Sequence, residues 1–189
     1  MFLILRLFLV LVCPFVFGCG YQMGYGERRL PENYRSLAVV MFENATEEVG
    51  VEKFFTNALV QQFALSKVAV LTKKSLAPAI LEGRILSIEV EHEVPKSNSD
   101  LVNLPDEAIL TTQYRLRLQV RLVLKRVADG RIIWQEVFAK ERTYSAPQVA
   151  TAIVNSANPL YNHSARLSNI RLMAEDMMID AHDRLTERF

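Results

Sequence analysis

Alternation of apolar and polar side chains over residues 114–125 is the feature that most limits how this chain can fold. Every second residue is apolar, from Tyr114 to Leu124. The positions between them carry one glutamine, one valine and four cations: Arg115, Arg117, Arg121 and Lys125. Successive side chains of a β-strand point to opposite faces of a sheet, so this pattern predicts a long strand with one buried and one wet face. Such a strand needs neighbouring strands and a layer that covers its apolar side.

The segments on either side of this strand supply its predicted neighbours. Residues 86–94 alternate in the same way, with one apolar row: Leu86, Ile88, Val90 and Val94. The opposite row is polar: Ser87, Glu89, Glu91 and Glu93. Asp129-Gly130 is a strong hairpin signal that returns the chain through residues 131–144. These segments predict a meander of long antiparallel strands.

The part of the chain before the meander predicts strand, helix, strand. Leu37–Phe42 is a continuous apolar run typical of a buried strand. Asn44 or Thr46 could cap a helix of about 17 residues, whose apolar stripe is spaced by three and four positions: Val51, Phe54, Phe55, Ala58, Leu59 and Phe63. Val68–Thr72 follows as a second strand. With a crossover helix between them, the two strands are expected to run parallel.

The end of the chain predicts a second helix. Ser145–Asn162 is rich in Ala, Asn, Ser and Pro and indicates a loop. One side of a terminal helix running nearly to Phe189 then collects the apolar residues: Ile170, Met173, Ala174, Met177, Met178, Ala181 and Leu185. We therefore expect an α+β fold, a two-layer sandwich in which two helices pack on one face of a mixed, mostly antiparallel sheet of about four to five strands.

The N-terminus indicates export and lipid attachment. Residues 2–17 are almost wholly apolar, and this run is too short for a membrane span and ends at Gly18-Cys19. The pattern predicts a lipoprotein signal over residues 1–18, acylation of Cys19 by chains such as palmitate, a tether over 19–35 and one domain over 36–189. The bulky Phe17 leaves open cleavage by the ordinary signal peptidase or a retained anchor.

Composition and motifs favour binding over catalysis. The chain has 22 basic and 21 acidic residues, so no overall field attracts nucleic acid. Of its two cysteines, one lies in the signal and the other would carry lipid, which leaves no disulfide. The histidines, His92, His163 and His182, lack the spacing of metal ligands. No nucleophile motif is present, so we expect no catalytic residues, metal or cofactor.

Several short motifs carry a resemblance to a known family. They are Cys19-Gly20-Tyr21, Leu30-Pro31, Phe42–Thr46, Glu52–Leu59, Leu81–Ile85, Ile133-Trp134-Gln135 and Tyr144. In these motifs and in its closing helix, the chain resembles the lipopolysaccharide-assembly lipoproteins called LptE. The resemblance implies a non-catalytic outer-membrane protein that plugs the β-barrel translocon LptD, assists its assembly and contacts lipopolysaccharide. Lys96 is the nearest counterpart, by location, of the basic loop residues proposed to touch lipopolysaccharide in that family.

Two questions stay open at the level of sequence. The cations Arg115, Arg117, Arg121 and Lys125 suit the phosphates of a glycolipid, but the pattern favours a salt ladder with the glutamates of the neighbouring strand over this role. The opening strand and helix also resemble periplasmic lipoproteins that activate envelope enzymes such as peptidoglycan synthases. The short tether favours a partner close to the membrane, and Gly20 after the lipidated cysteine is compatible with sorting to the outer membrane.

Overall fold

The computed structural model describes residues 28–96, 110–145, 149–151, 154–156 and 159–187. The predicted signal, Cys19 and the first part of the predicted tether lie outside these ranges. The main sheet contains β1 (Ser36–Val39), β2 (Glu43–Asn44), β3 (Val70–Leu71), β4 (Ala79–Lys96), β5 (Leu110–Arg126) and β6 (Ile132–Ser145). The helices are α1 (Glu52–Ser66) and α2 (Pro159–Thr186), and a small separate hairpin joins β7 (Val149–Thr151) to β8 (Val154–Ser156).

The sheet is mixed, with strand order β3-β1-β4-β5-β6 and β2 also paired to β4. β1 runs parallel to β3 and β4, whereas β4, β5 and β6 form the expected antiparallel meander. The predicted α+β fold is confirmed, with six strands in place of four to five. The additional strand is β2. Phe42, which lies between β1 and β2, turns into the core and is 3% exposed, so β1 and β2 pair with β4 as two separate short strands.

The first helix starts later than the sequence pattern predicted. Asn44 and Thr46 do not cap it; the Asn44 Oδ1 atom instead accepts hydrogen bonds from the backbone N–H and hydroxyl of Thr46, at 2.9 and 2.7 Å. These bonds form a local turn, and α1 begins at Glu52 without a side-chain cap. The apolar stripe faces inward as expected, because Phe55, Leu59 and Phe63 are fully buried.

The second helix is longer than its apolar stripe. Its predicted inward residues are all at most 2% exposed, from Ile170 to Leu185. The helix starts at Pro159, which suits a first helical position because proline lacks the N–H that would have no partner there. The first turns of the helix are polar and lack the helical spacing of apolar residues, so the sequence pattern assigned residues 159–162 to a loop. No helix in the described ranges is long and apolar enough to cross a membrane.

A bulge in β4 corrects the predicted facing of that strand. Ile85 pairs with Val120 and Ser87 with Gln119, which leaves Leu86 as an extra residue without a partner. Ile85 is therefore the core residue at this point, at 0% exposure, and Leu86 is not. After the bulge Ile88 and Val90 pack against the core as predicted.

Gly83 lets the sheet and α1 approach closely. The ring of Phe42 lies over its Cα, stacked on Phe55 with ring centroids 6.0 Å apart, and a Cβ at position 83 would come within 2.3 Å of the Phe42 ring. Since Phe42 is enclosed by the core, it has little room to move aside.

Substituting Gly83→Ala is expected to lower the free energy of unfolding by about 1–3 kcal/mol, the usual cost of overpacking a core. Urea denaturation checks this, with Ser87→Ala on the same strand as the control. The double variant Gly83→Ala/Phe42→Leu should recover part of the loss. A Gly83→Ala protein as stable as the Ser87→Ala protein would contradict the proposed contact.

Candidate functional site

The face of the sheet turned away from the helices carries the cations that the sequence pattern singled out. We call it the outer face, and it includes these outward residues of three strands: Glu82, Arg84, Ser87, Glu89, Glu91, Arg115, Arg117, Gln119, Arg121, Val123, Lys125, Gln135, Val137, Ala139, Glu141 and Thr143. Helix packing against the opposite side fixes this arrangement, because the alternating partners of these residues form the core.

Arg117 sits at the centre of a salt ladder across three strands. Its Nη1 atom lies 2.6 Å from Glu91 Oε1 on β4, and its Nε atom lies 3.4 Å from Glu141 Oε2 on β6. All three side chains are partly exposed, so each pair contributes only about 0.2–1 kcal/mol. At Arg117 the cation already has protein carboxylates as partners.

The next cations along β5 are held to different degrees. Lys125 Nζ lies 2.5 Å from Glu82 Oε2 on β4, which makes a second compensated pair. Arg115 stands opposite Glu91 on β4 and Thr143 on β6 in the strand register, and it is half-buried. Both therefore belong to the ladder region of the outer face.

Arg121 has a different environment because its cross-strand neighbour is Arg84. Two like charges directly opposite each other in a sheet repel. Within the described ranges, Arg84 has one ion pair, a long contact with Glu43 at 3.7 Å, and Arg121 has none. On β6 Arg121 faces Val137, which is half exposed. These two arginines are the least compensated positive charge on the outer face.

Sequence reasoning missed Arg84 because it lies before the bulge in β4. The alternation of residues 86–94, extended backwards without the bulge, would turn Arg84 towards the core. The extra residue at Leu86 reverses the phase and brings Arg84 onto the same face as Arg121. Only the register could have revealed this pair.

Lys96 is not brought together with Arg121. Its backbone pairs with Leu110 at the far end of the β4–β5 hairpin, and its side chain lies outside what the structure describes. The strand distance from Leu110 to Arg121 is about 36 Å at roughly 3.3 Å per residue. The side chain of Glu93 and the whole of Cys19 likewise lie outside the described part.

A cluster around the buried His182 joins the ends of the two helices. His182 Nε2 lies 2.8 Å from Ser66 Oγ, and His182 Nδ1 lies 3.3 Å from Asp183 Oδ1. That carboxylate also accepts a hydrogen bond of 2.6 Å from Arg28. Burial lowers the pKa of His182, with a smaller opposing effect from Asp183. Sequence reasoning could not join Ser66 to His182, because 116 positions separate them.

Hydroxyl, imidazole and carboxylate follow each other as in a hydrolytic triad, but the neighbouring backbone N–H of Lys67 is already hydrogen-bonded. The Lys67 N–H next to Ser66 donates to Phe63 O, at 3.1 Å, so it is not free to stabilise an oxyanion. Asp183 is engaged by Arg28. The cluster thus fastens α1 to α2. Among the described residues, no group of three or more His, Cys, Asp or Glu could hold a metal ion.

Comparison with known proteins identifies a matching family model. A model described as LptE, lipopolysaccharide-assembly, matches residues 34–189. No curated protein matches the sequence. The solution structure of lipoprotein B from Nitrosomonas europaea is 11% identical, with 88% of this chain and 90% of that chain covered and a TM-score of 0.50. The PelC dodecamer from Paraburkholderia phytofirmans is 15% identical, with 85% and 95% covered and a TM-score of 0.46. At these identities, the likeness to lipoprotein B concerns the fold alone.

The two arginines of β5 should differ in their effect on stability. Arg117→Gln removes two ion pairs and is expected to lower the free energy of unfolding by about 0.5–1 kcal/mol. Arg121→Gln relieves the repulsion with Arg84 and should leave stability unchanged or slightly higher. Urea denaturation at low salt measures both, and each variant is the other's control. Equal losses would contradict the assignment of Arg121 as uncompensated.

Burial of His182 predicts a pH dependence. The unfolded chain protonates this histidine near its ordinary pKa of about 6.5, whereas the folded chain does so only at lower pH, so protons favour unfolding between the two values. Stability should therefore fall as the pH drops below about 6.5. His182→Gln keeps a group near Ser66 but does not titrate. The difference in unfolding free energy between wild type and this variant should shrink or invert from pH 7 to pH 5; a constant difference would contradict the burial effect.

Proposed function

The chain belongs to the LptE family of lipopolysaccharide-assembly proteins, and from this premise we propose that it is a lipid-anchored outer-membrane subunit of a lipopolysaccharide translocon. Acyl chains on Cys19 hold it at the periplasmic side of the membrane. Its domain plugs an LptD-type β-barrel, assists assembly of that barrel and helps deliver lipopolysaccharide to the outer leaflet. The family match over residues 34–189 is the observation that carries this proposal.

The two surfaces of the sheet support a role as a plug. Its inner side is closed by α1 and α2, which bury the apolar residues. Its outer face is wide, mostly polar and nearly balanced in charge, and neither of the two described helices packs on it. The interior of a large transmembrane β-barrel is polar, so such a face can contact a lumen wall without burying uncompensated apolar surface.

Lipopolysaccharide would meet the outer face at Arg84 and Arg121. A guanidinium group binds phosphate through two parallel hydrogen bonds, and a phosphate between two arginines also removes their mutual repulsion. Arg117 has carboxylate partners on both sides and is expected to add less. Arg115 lies in the same row, and Lys96 would contact the glycolipid only near the hairpin end. These roles for Lys96, Arg115, Arg117 and Arg121 remain part of the proposal.

Activation of a periplasmic enzyme such as a peptidoglycan synthase is the alternative function. Lipoproteins with that function resemble the present chain in opening with a strand, a helix and a strand. In this chain the two strands, β1 and β3, pair in parallel. The family match gives this alternative no support. An activator of that kind also has no need of lipopolysaccharide, which makes lipopolysaccharide binding a discriminating measurement.

Reversing both arginines with Arg84→Glu/Arg121→Glu should weaken lipopolysaccharide binding at least about tenfold, because hydrogen bonds to charged groups contribute roughly 1.5–3 kcal/mol each. The double change keeps a like-charge pair, so folding should be little affected. The matched control is Lys53→Glu/Lys74→Glu, which reverses two exposed cations elsewhere on the surface. Binding to purified lipopolysaccharide is measured by fluorescence titration with the full chain in detergent.

Thermal unfolding of both double variants serves as the folding check. Weaker binding by the Arg84→Glu/Arg121→Glu protein alone, at unchanged unfolding temperature, supports the proposal. Wild-type binding by that variant, or equal losses in both variants, would show that the arginine pair does not contact the glycolipid. No binding by the wild type would contradict the lipopolysaccharide role itself.

A further inference from the structure

A cavity of about 750 Å³ lies where the chain enters the domain. One wall comes from residues 28–35, before β1, and the other from residues 66–70, between the end of α1 and β3. The backbone N–H of Arg29 donates to Thr186 O at the end of α2, and Leu30 is buried, so the first wall is packed onto the domain. The cavity is separate from the outer face of the sheet and serves no role in the function proposed above.

The walls of this cavity are strongly basic. Four cations line it, Arg28, Arg29, Arg35 and Lys67, and no carboxylate is among its lining residues in the described ranges. Arg28 is paired with Asp183 at 2.6 Å, and Arg29 also has an interaction partner, so the uncompensated charge of the cavity comes from the other two cations. Within the described ranges, Arg35 and Lys67 are exposed and make no ion pair. Concave sites with one sign of charge concentrate ions of the opposite sign.

Like Asp183, which is paired with Arg28, the acidic residue Glu32 beside the cavity already has a cationic partner. Glu32 binds Arg126 at 2.5 Å, which holds the pKa of that carboxyl below its ordinary value. Its side chain therefore adds no free negative charge to the rim. The local field of the cavity is positive although the chain as a whole is nearly neutral.

The backbone around the cavity is also unusual. Within the described ranges, the non-glycine residues with positive φ are Glu32, Asn33 and Lys67, at 56°, 59° and 55°. Asn33 and Lys67 line the cavity, and Glu32 adjoins it. Asparagine accepts this conformation and Lys67 adopts it as the residue that ends α1, whereas it is costly for Glu32. Costly backbone of this kind gathers at binding sites, where the rest of the fold holds it in place.

The position of the cavity along the chain suggests what occupies it. Arg28 follows Cys19 by nine residues, which span at most about 30 Å when fully extended. If Cys19 is acylated, as the proposed function requires, the cavity stays within this distance of a bilayer surface. A linker of so few residues gives the tethered site a high effective concentration of lipid headgroups.

We propose that this cavity binds the phosphate of an anionic glycerophospholipid headgroup in the bilayer that holds the lipid anchor. Arginine and lysine side chains match a phosphate in charge and hydrogen bonding, and basic clusters near a bilayer are attracted to its anionic lipids. Headgroup binding orients the domain, with the tether end against the membrane and the far end of the β4–β5 hairpin pointing away. The inference rests on the proposed function only for the acyl anchor.

The test uses the predicted mature chain, residues 19–189, with Cys19→Ser, so that neither the apolar signal nor an acyl chain contributes to membrane binding. Flotation with vesicles of phosphatidylcholine alone, and of phosphatidylcholine with phosphatidylglycerol, measures binding over a range of lipid concentrations. We expect binding to the phosphatidylglycerol vesicles only, weakened by salt. Added Arg35→Glu/Lys67→Glu should weaken it at least about tenfold, since each basic residue near an anionic surface contributes roughly a fivefold factor.

Two further variants separate a specific site from general charge and from misfolding. Lys53→Glu/Lys74→Glu makes the same change in net charge away from the cavity and should bind within about twofold of the parent, since neither residue lines the site. Arg35→Gln/Lys67→Asn removes the two charges with side chains that the local backbone tolerates, because asparagine accepts the left-handed conformation. It should show an intermediate loss at an unchanged unfolding temperature.

Three results with these vesicles and variants would overturn the inference, and a fourth with lipid A would do so as well. The three are absence of binding to the phosphatidylglycerol vesicles, equal losses in the cavity variant and the Lys53→Glu/Lys74→Glu control, and full displacement by millimolar inorganic phosphate, which would indicate a site for soluble anions. Preference for vesicles containing lipid A over phosphatidylglycerol would assign the cavity to the glycolipid and also overturn it. None of these measurements involves a barrel partner, so failure here leaves the proposed translocon role intact.

Discussion

The alternation of β5 is the constraint on which the rest of the structure depends. Its apolar row, Leu116, Leu118, Val120, Leu122 and Leu124, is at most 1% exposed under the two helices. Each such side chain contributes about 1.5–3 kcal/mol on burial, and a slip of one residue would turn the whole row to solvent. Hydrophobic burial therefore fixes the register of β4, β5 and β6. The positions of Arg117 and Arg121 on the outer face follow from that register.

Much of the fold could be predicted because its main signals are local periods. The long strands, the hairpin at Asp129-Gly130, the inward stripe of each helix and the parallel pairing of β1 with β3 all follow from patterns within single segments. The predicted start of α1 was wrong because Asn44 and Thr46 form a hydrogen-bonded turn with each other and do not cap the helix. The predicted start of α2 was also wrong, because the first turns of this helix are polar and show no apolar stripe.

Only part of the candidate site could be predicted from the sequence. The row of cations on β5 is local, but its partners depend on the bulge at Leu86, which decides whether Arg84 meets Arg121. The basic cavity is less visible still, because residues 28–35 and 66–70 meet only through tertiary packing. His182 looks isolated in the sequence for the same reason. Sites assembled from distant segments leave no periodic signal in any one of them.

The distribution of charge gives a chain of almost no net charge two separate regions of positive potential. The charges of the ladder around Arg117 compensate each other, so Arg84 and Arg121 carry the uncompensated positive charge of the outer face. The cavity beside Arg28 lies at the tether end, a different surface of the domain. Such a division suits a protein that must hold its place at a bilayer while contacting a glycolipid elsewhere.

Membership of the LptE family makes a barrel-bound assembly subunit the central claim. Its most direct test is purification of the natively acylated protein from its own outer membrane in mild detergent, followed by native mass spectrometry of the intact particle. The predicted result is a one-to-one complex with a single large LptD-type β-barrel. A protein that emerges alone, or bound in equal amount to a periplasmic enzyme, would contradict the claim.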